Sequence, residues 1–277
     1  MRPLVALPSS RALALRGLVF DLDDTFLVGG ALDARAFEAL CRMREAGIEL
    51  FACTGRPALW AELALRQWPI DAAIAENGAL VYVRGGGRVE RIDRVGREER
   101  RQRRAALLAI AARLVEHAPG LELADDNEAR ITDVTIDVGE HASVAPSVVR
   151  ELELLARASG ARTFTSSVHL HLTFDADDKA SGAIRAIGRV TGVGATEARA
   201  SFAYVGDSGN DAAAFAAFEC SVGVANVRSH LRRLSVPPRW VAKGARAEGF
   251  CELASILLDA KIHGPSDAGR ADRASAC

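Results

Sequence analysis

The sequence predicts an α/β fold: a doubly wound parallel sheet with an inserted α+β cap domain. Two observations predict it. Short apolar runs alternate with helix-period segments over residues 17–79, and the same alternation resumes from residue 179. Between them, over 80–175, the texture changes to a hairpin and to strands of alternating polarity. The 277 residues are 49% hydrophobic and 26% charged, enough apolar material for a packed core. A formal net charge of −1 gives no global reason to expect nucleic-acid or membrane binding.

The elements follow in order. GLVFD (17–21) is a continuous apolar run ending at a carboxylate, which reads as a buried strand. Residues 33–46 carry Ala36, Phe37, Leu40 and Met43 at helical spacing, with Asp33 as N-cap and Gly47 as the stop. IELFAC (48–53) is the next strand, Pro57 opens a helix, and AAIA (72–75) is a third strand. VYV (81–83) and RVERI (88–92) flank three glycines and predict a hairpin. Helices are expected over 97–117 and 145–158, a half-buried strand over 130–138, and paired strands over 162–167 and 168–174. The parallel pattern then returns with a helix over 179–190, FAYVG (202–206), VGV (222–224), RWVA (239–242) and a closing helix over 247–260.

These elements divide the chain into a core of 1–79 with 176–262, a cap of 80–175, and a tail of 263–277 expected to be disordered. The first sixteen residues are broken by Pro3, Pro8 and Arg11, so they do not form a secretory signal. They read as a ragged, partly disordered lead-in. No run reaches the roughly 18 apolar residues of a membrane span. Five scattered cysteines without a CxxC pair suggest neither a disulfide framework nor a zinc site, and point to the cytoplasm.

In an open parallel sheet, ligands gather at the carboxyl ends of the strands. Here those ends carry Asp21-Leu22-Asp23-Asp24-Thr25, Cys53-Thr54-Gly55-Arg56, Asn77, and Asp207-Ser208-Gly209-Asn210-Asp211. Lys179, one of only three lysines, opens the helix that returns from the insertion. Residues two apart in an extended chain project to one side, so Asp21 and Asp23 are expected together. Two adjacent carboxylates need a cation between them or a shared proton, and both arrangements suit phosphoryl transfer. One carboxylate attacks, and the other donates a proton to the leaving oxygen and then activates water. Asp207 and Asp211 would complete a hard oxygen site for Mg²⁺. Thr54 offers a hydroxyl to a phosphate oxygen, and Lys179 a positive charge. Singly, each motif has an ordinary reading as a turn or a helix cap. Their joint order at four strand ends is what carries the argument.

DLDDT, ACTGR, Lys179 and GDSGND together resemble the four motifs of the haloacid dehalogenase superfamily, over residues 17–260. ENGA (76–79), the place of the insertion, and Ser166, Leu170, Asp178 and Lys179 resemble its α/β-capped branch, subclass IIB. That branch includes sucrose-, trehalose- and mannosyl-3-phosphoglycerate phosphatases and Cof-like sugar phosphatases. The resemblance implies a Rossmann-like core and a Mg²⁺-dependent phosphatase acting on a small phosphorylated metabolite, such as a sugar phosphate. It implies Asp21 as nucleophile and metal ligand. Asp23 would be the general acid/base, with its main-chain carbonyl on the metal, and Asp207 a further metal ligand. Thr54 would bind the phosphoryl group, Gly55 would allow close backbone approach, and Lys179 would stabilise Asp21. Asn77, Asn210 and Asp211 would support the site. Asp24 stands where many members carry Gly, a change that a turn tolerates.

Within the superfamily, Asp23 argues against a dehalogenase. The absence of lysine from 80–175 argues against a Schiff-base phosphonatase. A phosphomannomutase-like phosphotransferase remains an alternative, with Arg130 as a cationic clamp, as does a non-catalytic binding or regulatory descendant. Polar cap residues are expected to read the substrate: Arg130, Asp137, Ser166, Ser167, His169 and His171, the two histidines sharing one strand face.

Overall fold

A computed structural model describes residues 1–118, 120–166 and 168–263. Its first segment comprises β1 (Arg2–Pro3), α1 (Ser9–Ala14), β2 (Gly17–Asp21), β3 (Leu27–Val28), β4 (Ala31–Leu32), α2 (Ala34–Glu45), β5 (Glu49–Cys53), α3 (Ala58–Gln67) and β6 (Ala72–Ala75). Then come β7 (Leu80–Gly85), β8 (Arg88–Ile92), α4 (Arg97–His117), β9 (Asp133–Asp137), α5 (Pro146–Ala158), β10 (Arg162–Thr165) and β11 (His169–Thr173). The last segment holds α6 (Lys179–Thr191), α7 (Ala195–Ser201), β12 (Phe202–Gly206), α8 (Ala212–Ala217), β13 (Cys220–Gly223), α9 (Val227–His230), β14 (Trp240–Val241) and α10 (Arg246–His263).

The main sheet runs β1-β14-β13-β12-β2-β5-β6-β7-β8, parallel from β1 to β6 and antiparallel at β7 and β8. Strand alternation sorts its side chains onto two faces. Leu18 and Phe20 join one apolar cluster with α2, α3 and α10, while Val19 joins a second with α6, α7 and α8. The expected caps hold: Asp33 accepts from the N–H groups of Arg35 and Ala36, and the chain turns at Gly47.

Two findings change the sequence reading. The hairpin β7–β8 was expected to open the cap, but it extends the main sheet, because β7 pairs along the free edge of β6. The lead-in is ordered. β1 pairs in parallel with β14, and Leu4, Leu7, Ala12 and Leu15 are buried in the core. A broken apolar pattern suffices there, since only one turn at a time meets the sheet edge or α10. The tail, apart from His263, lies outside the described residues.

The inserted segment forms a three-stranded antiparallel sheet, β10-β11-β9. Val134, Ile136, Leu170 and Leu172 pack under α4 and α5. The opposite face carries Asp133, Thr135, Asp137, His169, His171 and Thr173, all buried. Two chain crossings join this unit to the main sheet. Arg100 ties them together with ion pairs of 2.6 Å to both Asp93 and Asp175.

The return crossing packs tightly onto the Glu76–Gly78 turn. A Cβ built on Gly78, whose φ is +104°, would lie 1.9 Å from the carbonyl oxygen of Asp178, and one on Gly182 would lie 2.5 Å from Gly78 Cα. Only two glycines let α6 start here and deliver Lys179 to the sheet. Gly78→Ala should cost roughly 3 kcal/mol or more, combining backbone strain with a clash that backbone cannot relieve. Urea unfolding measures it.

Candidate active site

The site is assembled where four strands of the main sheet end. Asp21 is the last residue of β2, and Lys179 is the first of α6. The Lys179 ammonium donates to Asp21 Oδ1 at 2.6 Å and to Asp211 Oδ1 at 2.7 Å, and all three side chains are buried. Asp211 is saturated. It accepts from Lys179 and the Tyr204 hydroxyl on Oδ1, and from the N–H groups of Asp207 and Ser208 on Oδ2. Burial, and then the neighbouring Asp211 and Asp207, push the Asp21 carboxyl well above its usual range, against the pull of Lys179. Burial also opposes charge on Lys179, but Asp21 and Asp211 outweigh it and hold the ammonium protonated. Burial and Asp211 push Asp207 up to about 7.

This concentration of negative charge is what a cation would relieve. Oxygens of Asp21, Asp207 and Asp211 lie within 4.8 Å of one another. Asp211 has no acceptor capacity to spare, so Asp21 and Asp207 are the carboxylates fitted to hold a metal. Asp207 Oδ2 is oriented by the side-chain amide of Asn226 at 2.8 Å, which also donates to the carbonyl of Asp24. Asn226 was missed in the sequence, although it follows the end of β13 as the other motifs follow their strands.

Asp23 reaches the same cavity as Asp21, but not as an alternate residue of a strand. β2 ends at Asp21, and the N–H groups of Thr25, Phe26 and Leu27 all turn back to the Leu22 carbonyl. Asp24 takes a left-handed φ of 51° in this turn and pairs with Arg246. Asp23 is held by Arg56, whose Nε and Nη2 donate at 2.9 and 2.6 Å, and Arg56 stacks on Trp60 with 4.1 Å to the ring centroid. Thr54 is buried, and its Oγ1 accepts from the Arg56 N–H at 3.0 Å. Asn77 Oδ1 accepts from Asn210 Nδ2 at 3.1 Å and lies against Gly55, where a Cβ would be 2.9 Å from it.

A cavity of about 910 Å³ separates these residues from the polar face of the three-stranded sheet. Of the expected substrate-reading residues, Arg130, Ser166, His169 and His171 line it. Arg130, however, is paired through each of its three guanidinium nitrogens. Its guanidinium donates to Asp126, to Asp133 and to the Gly55 carbonyl, so it is a strut between the two sheets and not a free clamp. Ser166 Oγ accepts from the His169 N–H at 2.9 Å and shapes the turn. Ser167 lies outside the described residues. Asp137 does not line the cavity. Its carboxylate accepts from the N–H groups of Gly139, Glu140, His141 and Ala142, anchoring the loop after β9. A strand-end Asp followed by a glycine was readable as a loop anchor.

Glu76 is a further residue that the sequence reading left without a role. Buried at a φ of 48°, it accepts from the Ala58 N–H at the start of α3 and from the N–H groups of Ile131 and Thr132. Burial and the nearby Asp133 push it up to about 7. It clamps the loop entering β9 onto the helix that follows Thr54.

The family model of haloacid dehalogenase-like hydrolases matches residues 18–92, from β2 through β8, and so covers DLDDT and ACTGR. No curated protein matches the chain. Solved structures share its fold over nearly their whole length. A Thermoplasma acidophilum protein aligns at 16% identity and a TM-score of 0.67, over 88% of this chain and 98% of its own. A HAD/COF-like hydrolase from Plasmodium vivax aligns at 18% and 0.64, over 91% and 99%. The sucrose-phosphatase of Synechocystis sp. PCC6803, solved with sucrose and phosphate, aligns at 17% and 0.61, over 88% and 98%. The family match thus bears out the sequence resemblance over the first part of the sheet, and the solved structures show that the fold is shared over most of the chain.

Asp137 supplies a test of the loop that carries Glu140. Burial opposes its charge, but the four backbone N–H groups win and hold its carboxyl below 3.8, the ordinary value. A depressed pKa contributes stability above the unfolded value and loses it as pH falls through the folded one. Asp137→Ala should cost about 1–3 kcal/mol at pH 7. The gap from the parent should shrink below about pH 4, read by hydrogen exchange of residues 139–142 across pH.

Proposed function

We propose that the protein is a Mg²⁺-dependent phosphomonoester hydrolase that works through an aspartyl-phosphate on Asp21. Its substrate is a sugar phosphate or a similar small phosphorylated metabolite. The observation that carries this reading is the buried Asp21 carboxylate, paired with Lys179 at 2.6 Å and opening on the cavity beside Asp23. Of its two oxygens, Oδ1 is held by Lys179, which leaves Oδ2 to attack phosphorus. The bond from phosphorus to the leaving oxygen breaks as Asp23, in a protonated form that has left Arg56 and taken its proton from solvent, delivers that proton to the leaving oxygen. Asp23 then takes a proton from water as the water oxygen attacks the aspartyl-phosphate. This frees phosphate and restores Asp21. Asp23 must leave Arg56 to do this, and the stack on Trp60 keeps that guanidinium in place meanwhile.

Asp21 and Asp207, with the Asp23 carbonyl, would hold Mg²⁺, which when bound supplies positive charge against the crowded carboxylates and the phosphoryl oxygens. Lys179 keeps Asp21 oriented, while Tyr204 and the N–H groups of Asp207 and Ser208 keep Asp211 oriented toward Lys179. A sucrose-phosphatase and a subclass IIB sugar phosphatase among the fold relatives support the substrate class. Among the described residues no helix is long and apolar enough to cross a membrane. Free thiols at Cys41, Cys53, Cys220 and Cys251 support a place in the cytoplasm.

Asp21→Asn should lower turnover of p-nitrophenyl phosphate by about 10³-fold or more, since it removes the nucleophile. EDTA should abolish turnover by the parent protein, and Mg²⁺ should restore it. Phosphate release that persists in Asp21→Asn, or through chelation, rejects the mechanism.

A further inference from the structure

The loop after β5 has its three carbonyls claimed from two sides. Thr54 O accepts from the Asn77 N–H and Arg56 O from the Glu76 N–H, each at 3.1 Å and both from the turn that follows β6. Of the three, the Gly55 carbonyl alone takes its donor from the inserted unit, Arg130 Nη1 at 3.1 Å. That carbonyl and the Arg56 N–H are the two ends of one planar peptide, so fixing the oxygen fixes the direction of the N–H. The N–H donates to Thr54 Oγ1 at 3.0 Å. A hydroxyl has one hydrogen of its own to give. Since Oγ1 accepts from Arg56, that hydrogen is directed elsewhere, and among the described residues no acceptor takes it. Gly55 and Arg56 line the cavity, where a phosphoryl oxygen would supply the acceptor.

Arg130 is itself firmly seated. It is buried, with Nε 2.7 Å from Asp126 Oδ1 and Nη1 3.0 Å from Asp133 Oδ2. The next two residues, Ile131 and Thr132, donate their N–H groups to Glu76, which also accepts from Ala58. Three consecutive residues thus dock the inserted unit beside the loop that bears Thr54, and Arg130 is the one that reaches its peptide. A charged donor on a carbonyl makes a bond roughly twice as strong as a neutral one, which suits it to hold a peptide plane.

We propose that Arg130 is a positioning residue for phosphoryl transfer: seated by Asp126 and Asp133, it fixes the Gly55–Arg56 peptide and thereby aims the Thr54 hydroxyl at the transferring group. The proposal rests on the hydrolase reading and adds to it a link between the seating of the inserted unit and the chemistry. With Arg130 displaced, the Gly55 carbonyl loses its donor, the peptide is free to turn, and the Thr54 hydroxyl loses its aim.

The test is a double-mutant cycle of Arg130→Lys with Thr54→Val, run on the full chain with Mg²⁺ and p-nitrophenyl phosphate. The leaving group of this ester carries no second anionic group for a guanidinium to bind. Arg130→Lys alone should lower kcat about tenfold and change KM by less than about twofold. In the Thr54→Val background the same substitution should cost less than about threefold, because the hydroxyl it acts through is already gone. Asp126→Asn loosens Arg130 from a partner whose side chain is 31% exposed and leaves the buried place filled. It should repeat the pattern at smaller amplitude, and it carries the test if circular dichroism shows Arg130→Lys unfolded. A loss as large in the Thr54→Val background as in the parent overturns the proposal, since a merely structural role would multiply in this way. A rise in KM with kcat unmoved also overturns it, by making Arg130 a ligand contact. If the parent releases phosphate from no ester, the hydrolase reading fails and this proposal with it. If the parent turns over and the losses multiply, only the Arg130 assignment fails.

Discussion

The ammonium of Lys179, buried between Asp21 and Asp211, is the interaction on which the rest of the architecture depends. One cation faces two carboxylates, with Asp207 a third close by. Removing the cation would strand charges that water cannot reach, a loss that buried pairs do not survive cheaply. Its partners come from distant parts of the chain, 158 residues away at Asp21 and 32 at Asp211. The parallel order of β12 and β2, and the glycine contact that lets α6 start against the Glu76–Gly78 turn, are what bring them together.

Much of the core was legible because each motif of the candidate site is contained in one short segment at a strand end. Asp33 capped its helix, the helix after Pro57 formed, and the Asp207–Asp211 loop followed its strand, since these features need only neighbours in sequence. Features that depend on remote partners were not legible. Nothing local to residues 80–92 says that their hairpin finds the open edge of β6. Arg130 looks in sequence like a free cation, yet Asp126, Asp133 and the Gly55 carbonyl consume it. Asp21 and Asp23 were expected together and do share a cavity, but through a turn and not through strand alternation.

The three-stranded sheet inverts the usual meaning of a half-polar strand. Alternation commonly marks one face in the core and one in water. Here the polar face is buried too, because it is roofed by the strand ends of the larger sheet. Asp133, His171 and Thr135 are therefore committed to one another and to Arg130 and Asp126. Such a network holds its members in fixed protonation and orientation only if every member is matched. Glu76 and Arg100 extend the same economy to the joints, one clamping the entry to β9 and the other binding both chain crossings.

The strand order has a consequence for synthesis. β2 pairs early with β5, only 32 residues on by register, but its other neighbour is β12, which begins at Phe202. While the nascent chain grows through the inserted unit, one rim of that central strand stays bare, its amides and carbonyls open to any passing extended segment. The ribosome must therefore deliver the chain as far as β12 before this central strand is paired on both sides and safe from aggregation.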